Sequence, residues 1–271
     1  MKADEVIIFS DMDGTLLTDW DLGPYVPAAN IEAIKDFMAS GGLFSIASGR
    51  QYKDTLGFFG GMPFSLPMVQ GNGAVLYDSQ KGAVIQKTRL PEPIKQESLD
   101  YFLKHPGVWL VAADEDEIFQ VLTGDSARDA MLTDLKRKAI TIEDYLVLAP
   151  VKVCFVVMDA DRLSPVIEDV HNFASANLFV TAQSSPYIIE LLEKSVGKAP
   201  AVREALRLSN AEGRKLICIG DYDNDCGMLA MADIAACPSN ASQKVLEMAK
   251  IVTCSNNEGA VADLIRQLGV L

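Results

Sequence analysis

Histidine is nearly missing: His105 and His171 are the only two in 271 residues, and neither has a serine or cysteine motif beside it. Triad hydrolysis usually takes its base from histidine, so that chemistry is not expected. The five cysteines (Cys154, Cys218, Cys226, Cys237, Cys254) show no Cys-x-x-Cys spacing, which argues against a zinc site and suits reduced thiols in a cytoplasmic protein. No apolar stretch reaches the roughly 18 residues of a membrane span. The opening run VIIFS meets acidic residues at once and is too short for the apolar segment of a signal peptide. Positive charge is also scarce, with 24 Lys and Arg against 37 Asp and Glu, a net charge of −13 and a pI near 4.6. Such a field repels phosphate backbones and anionic lipids, so neither nucleic acid nor a membrane surface is an expected partner. A small phosphorylated metabolite, by contrast, would need only a locally placed cation. Internal repeats and low-complexity tracts are lacking too, which sets solenoids aside.

What is present is an ordinary globular composition, 49% apolar and 23% charged, long enough for one large domain or two modest ones. The first ninety residues alternate β-like runs (VIIFS at 6–10, LFSIA at 43–47, LPMVQ at 66–70) with helical patterns near 28–40 and 51–60. That alternation predicts βαβ units and a parallel sheet. The rhythm returns after Pro200 with a helix, the run KLICIG (215–220), a helix from about Cys226, a short strand at 234–236, and helices near 241–249 and 258–268. Between these parts, 83–186 has another texture: VWLVAA (108–113), IFQVLT (118–123), VKVCFVVM (151–158) and LFVTA (178–182) interleave with helical patterns near 91–104, 126–138 and 162–175. The expectation is an α/β domain formed by 1–82 and 187–271, with a mixed α+β module of 83–186 inserted into it.

Four local patterns carry chemistry. After VIIFS come Asp11-Met12-Asp13-Gly14-Thr15-Leu16-Leu17, which puts two carboxylates at the mouth of a buried strand, where open α/β sheets bind ligands. Alternation sets Asp11 and Asp13 on one side, and two like charges so placed call for a cation such as Mg²⁺, a hard ion that takes carboxylates and engages phosphate. Taken alone, Asp-x-Asp also fits a solvated acidic turn. A second acidic mouth, Ile219-Gly220-Asp221-Tyr222-Asp223-Asn224-Asp225, follows KLIC and offers further metal ligands, with Asp225 also suited to cap the next helix. Ser48-Gly49-Arg50 lies between a strand and a helix, where a hydroxyl, an amide and a guanidinium together make an anion site. Lys198, just ahead of the helix opened by Pro200, opposes the helix macrodipole, and an anion nearby would account for it.

In that order, DMDGTLL, the serine of SGR, Lys198 and GDYDND resemble the four motifs of the haloacid dehalogenase superfamily. Asp13 and Ser48 are only about 35 residues apart, while about 150 separate Ser48 from Lys198. With GNGAVLYD (71–78) before the insertion and SSPYIIELLEKSVGKAPAV (184–202) after it, the layout resembles the Cof-type phosphatases with a C2 cap. The lysine segment departs from that pattern, reading Ser195-Val196-Gly197-Lys198-Ala199 where GVSKG is usual. The resemblance implies a Rossmann-like parallel-sheet core, an inserted cap, and a monomer or homodimer. It also implies Mg²⁺-dependent hydrolysis of small phosphate monoesters, sugar phosphates foremost, through an aspartyl-phosphate on Asp11. By the same resemblance Asp13 is the acid and base, and Asp11, Asp13 through its carbonyl, and Asp221 bind the metal. Ser48 and Lys198 hold phosphoryl oxygens, Gly49, Asn72 and Asn224 lie close to the phosphate, Arg50 is a substrate contact, and Asp225 supports the loop. A phosphotransferase or mutase shares these motifs, and a non-catalytic phosphometabolite-binding regulator is the alternative of another class. A dinucleotide-binding dehydrogenase would need a glycine fingerprint that DMDGTLL lacks.

Overall fold

The computed structural model describes residues 1–130 and 137–270. In chain order the elements are β1 (Val6–Ser10), α1 (Ala28–Ala39), β2 (Leu43–Ile46), α2 (Tyr52–Phe58), β3 (Met68–Gln70), β4 (Val75–Asp78), β5 (Ala83–Lys87), α3 (Glu92–Lys104), β6 (Val108–Ala113), β7 (Ile118–Val121), α4 (Ser126–Ala130) and β8 (Lys138–Ile140). They continue with α5 (Ile142–Val147), β9 (Lys152–Val157), α6 (Leu163–His171), β10 (Phe179–Ser185), β11 (Ile188–Glu193), α7 (Lys198–Leu208), β12 (Lys215–Ile219), α8 (Cys226–Met231), β13 (Ile234–Pro238), α9 (Gln243–Met248), β14 (Ile251–Thr253) and α10 (Ala260–Leu268). The chain forms two compact units, one of Met1–Gln86 with Gly197–Leu271 and one of Lys87–Val196.

The first unit is built on a parallel five-stranded sheet in the order β14-β13-β12-β1-β2. β1 is buried along its whole length because both of its faces are covered, as its unbroken apolar sequence requires. Val6 and Ile8 pack with Phe44, Ile46, Ile217 and Ile219 against Ile34 and Phe37 of α1 and Leu264 and Ile265 of α10. Ile7 and Phe9 face the opposite layer, with Val202 and Ala205 of α7, Met228 of α8 and Val245 of α9. Ser10 sits level with Ile219 on one neighbour and Ile46 on the other, so three adjacent strands end together at one edge. The run at 66–70 behaves differently from its parallel-sheet expectation: β3 pairs antiparallel with β4 in a separate sheet, β3-β4-β5, and touches the main sheet through the single bridge Ala47–Val69.

The second unit is a six-stranded sheet in the order β10-β11-β9-β6-β7-β8, antiparallel except for β7 with β8. Alternate residues of β6 and β9 (Val108, Leu110, Ala112; Val153, Phe155, Val157) pack with α3, α5 and α6 through Ile94, Phe102, Tyr145 and Val166. Trp109, Val111, Cys154 and Val156 form a smaller cluster on the other side. β11 was expected beyond the insertion, yet it pairs with β10 and β9, so this unit extends past 186 to Val196. Of the helical pattern at 126–138, Ser126–Ala130 is helical and 131–136 lie outside the described residues. β8 and α5, which short apolar signals did not announce, follow it.

Candidate active site

The three aligned strand ends in the first unit deliver three of the chemical patterns to one place. Asp11 continues β1, its amide donating to the Ile219 carbonyl at 2.9 Å, and Ala47 after β2 donates to the Ser10 carbonyl at 2.8 Å. Ser48 in turn donates its amide to Val69 O at 2.9 Å and accepts from the Asn72 amide at 2.9 Å, which ties Asn72 to the same edge. Asn72 takes a left-handed φ of 55°, and its Oδ1 accepts from Asn224 Nδ2 at 3.1 Å. Gly14 turns the chain with φ 72°, and a Cβ there would fall onto the Asp221 carboxylate, so only glycine admits this approach.

Lys198 opens α7, and its ammonium is buried between Asp11 Oδ1 at 2.7 Å and Asp225 Oδ1 at 2.6 Å. Burial opposes its charge, but the two carboxylates outweigh it and hold the amine protonated well above the usual lysine range. The other oxygen of Asp225 accepts from the amides of Asp221 at 3.1 Å and Tyr222 at 3.2 Å. Thr15 Oγ1 donates to Asp221 Oδ1 at 2.8 Å. Asp13 lies on the same turn with its carboxylate held by Arg50, Nε to Oδ2 at 2.8 Å and Nη2 to Oδ1 at 2.6 Å. Arg50, expected as a substrate contact, thus has a carboxylate partner of its own.

Asp11, Asp221 and Asp225 each offer a carboxylate oxygen within 4.8 Å of the others. A single lysine does not balance three such groups. Burial first, and Asp225 second, push the Asp11 carboxyl up to about 7 against the pull of Lys198; burial and Asp11 likewise raise Asp221 well above the carboxylate range. Carboxylates forced together out of water fit a hard, oxygen-seeking divalent cation. Because both Asp225 oxygens are already engaged, Asp11 and Asp221 are the pair that such an ion would draw on.

All ten residues singled out in the sequence lie in the first unit on the loops and helix starts at this edge. Sequence reasoning passed over three others: Thr15, which stood inside the quoted motif without a role; Asn240, whose Nδ2 donates to Gly14 O at 2.9 Å; and Trp20, whose ring lies 5.2 Å from the Arg50 guanidinium. The hydroxyl of Thr15 was a usable signal, whereas Asn240 and Trp20 become neighbours only through the fold.

Known proteins resemble this chain in sequence and in fold. The family model described as haloacid dehalogenase-like hydrolase matches residues 8–265. The putative phosphatase YxeH of Bacillus subtilis is 27% identical over 280 residues, covering 97% of each chain. The 5-amino-6-(5-phospho-D-ribitylamino)uracil phosphatase YbjI of Escherichia coli is 24% identical over 259 residues, covering 96% of this chain and 94% of its own. Among solved structures, the haloacid dehalogenase subclass IIB sugar phosphatase BT4131 superposes with a TM-score of 0.79 at 20% identity, covering 98% of this chain and 99% of that one. The chain belongs to the haloacid dehalogenase-like hydrolases, among the Cof-type phosphatases.

Proposed function

We propose that the protein is a magnesium-dependent phosphatase that hydrolyses small phosphate monoesters, sugar phosphates foremost, through an aspartyl-phosphate on Asp11. The observation that carries this reading is the buried Asp11–Lys198–Asp225 relay beside Asp221. It places a nucleophilic carboxylate against a permanent cation, with a second carboxylate left for a metal. Magnesium held by Asp11, Asp221 and the Asp13 carbonyl would supply positive charge to the phosphoryl oxygens.

Asp11 attacks phosphorus while Lys198, the Ser48 hydroxyl and the Gly49 amide take up the phosphoryl oxygens. Lys198 also screens Asp11 from its anionic target. Asp13 gives a proton to the departing oxygen and takes one from the water that later attacks the phospho-enzyme. Asn72 and Asn224, joined to each other, flank the phosphate, and Asp225 keeps Lys198 in line. These groups address the phosphoryl end common to all such esters. The choice of alcohol is assigned to the second unit, as the cap of this enzyme. Sugar phosphates are favoured by the fold shared with BT4131, and a phosphoribityl compound by the name of YbjI. The five free thiols support a cytoplasmic setting.

The test is inorganic phosphate release from sugar phosphates, nucleotides and pyridoxal phosphate, with and without Mg²⁺, for the wild type and Asp11→Asn. Release that needs Mg²⁺ and disappears in the variant is the expected result. Loss of ester without free phosphate would move the assignment to a phosphotransferase, and metal binding without turnover of any ester to a regulator.

A further inference from the structure

We propose that Arg50, held between Trp20 and Phe58, is the positioning residue that fixes the Asp13 carboxyl for proton transfer. The proposal rests on the acid and base role assigned to Asp13 above. Asp13 sits on a turn outside any strand or helix, and its side chain is 42% exposed, so its own backbone does little to orient it. Both oxygens are nevertheless fixed, by a two-pronged contact from Arg50 at 2.8 and 2.6 Å. A planar fork determines the plane and direction of a carboxylate as a lysine cannot. Each carboxylate oxygen carries two lone pairs, so the fork leaves capacity to hold and pass a proton.

The guanidinium is fixed in turn. Its carbon lies 5.2 Å from the centre of the Trp20 ring and 5.0 Å from that of Phe58, and the backbone amide of Arg50 donates to Ser48 Oγ at 3.1 Å, which ties down the chain that carries it. An ordinary surface ion pair costs conformational freedom and contributes little. Here two aromatic faces restrict the arginine before the carboxylate arrives, and its side chain is only 15% exposed. Trp20 itself stays 68% exposed, so its contact with Arg50 is more than a by-product of core packing.

In the first half-reaction the Asp13 proton goes to the ester oxygen as the P–O bond to the alcohol breaks and the Asp11 O–P bond forms. In the second, water gives a proton to Asp13 and its oxygen to phosphorus as the Asp11–phosphorus bond breaks. A misdirected Asp13 harms the first half most when the leaving group is a poor one that needs the proton.

The experiment is the dependence of kcat/KM on leaving-group acidity across a series of substituted phenyl phosphates, for wild type, Asp13→Asn, Arg50→Met, Arg50→Lys and Trp20→Ala. Arg50→Met should follow Asp13→Asn in steepening that dependence. We expect it to lose roughly 10- to 100-fold on phenyl phosphate and under about 3-fold on 4-nitrophenyl phosphate. Arg50→Lys should fail to restore the wild-type slope, and Trp20→Ala should steepen it more weakly. Should Arg50→Met not fold, the exposed Trp20→Ala carries the test. A steep Asp13→Asn beside an unchanged Arg50→Met, or a change in KM alone, overturns the positioning role and leaves the acid intact. An unchanged Asp13→Asn overturns the acid assignment itself.

Discussion

Asp11 occupies a position that is costly before any metal binds, and the cost depends on pH. Its carboxyl is raised from 3.8 to about 7, chiefly by burial. Between those values the unfolded chain has released the proton while the folded one retains it, so stability falls as pH rises and the full penalty stands above about 7. Metal-free Asp11→Asn should therefore melt higher than metal-free wild type at pH 8, by a few degrees or more, and with little difference below pH 4. Melting curves with and without Mg²⁺ at both pH values check this, since added Mg²⁺ should cancel the advantage of the variant. An advantage that persisted at low pH would show that packing rather than charge was relieved. A second residue makes a purely steric demand. Gly73 has φ 104°, and a Cβ there would overlap the Gly197 backbone next to Lys198. Gly73→Ala should cost about 1–3 kcal/mol in denaturant unfolding and lower phosphate release, because the start of α7 must shift.

At the scale of elements, the second unit holds a charged contact inside its sheet. Lys152 of β9 and Glu190 of β11 pair at 2.7 Å with side chains 6% and 5% exposed, and Ser184 Oγ donates to the other Glu190 oxygen at 2.9 Å. Register makes them neighbours, since Cys154 lies opposite Glu190 and Lys152 opposite Leu192. Removing one partner leaves a buried charge unmatched, so Lys152→Met should destabilise by about 3–5 kcal/mol. The double variant Lys152→Met with Glu190→Leu should recover most of the loss, as chemical denaturation of all three proteins would show. The same pair explains one limit of reading sequence. An apolar run such as VKVCFVV announces a strand, and β6 and β9 were legible to within a residue, but IIELLE was assigned to the wrong unit because pairing partners are not local. LPMVQ failed for the same reason, since nothing in a five-residue apolar run says which sheet accepts it. The candidate site's edge was legible because acidic and small residues directly after buried strands have few structural uses. The contacts of Trp20 and Asn240 were not, because exposed loops meet only in three dimensions.

For the whole molecule, each hydrophobic cluster among the described residues draws on one unit alone: those around β1 on the first, those around β6 and β9 on the second. Two cores with separate memberships should give calorimetric unfolding that departs from a single two-state transition. Mg²⁺ binds in the first unit under the proposal above, so it should raise one component of the melt and leave the other nearly in place. A single transition shifted as a whole would show that the units unfold together.

β1 is made at residues 6–10, yet one of its two neighbours comes from 215–219. A ribosome therefore completes the contiguous second unit, Lys87–Val196, while the first still lacks three of the five strands of its parallel sheet. Lys198 and Asp221 emerge later still. A chain that has not yet reached Lys198 carries Asp11, Asp13 and Ser48 without the lysine that pairs with Asp11 or the strand β12 that aligns with β1. Under the function proposed above, a copy that stops before Lys198 therefore lacks groups that the reaction requires.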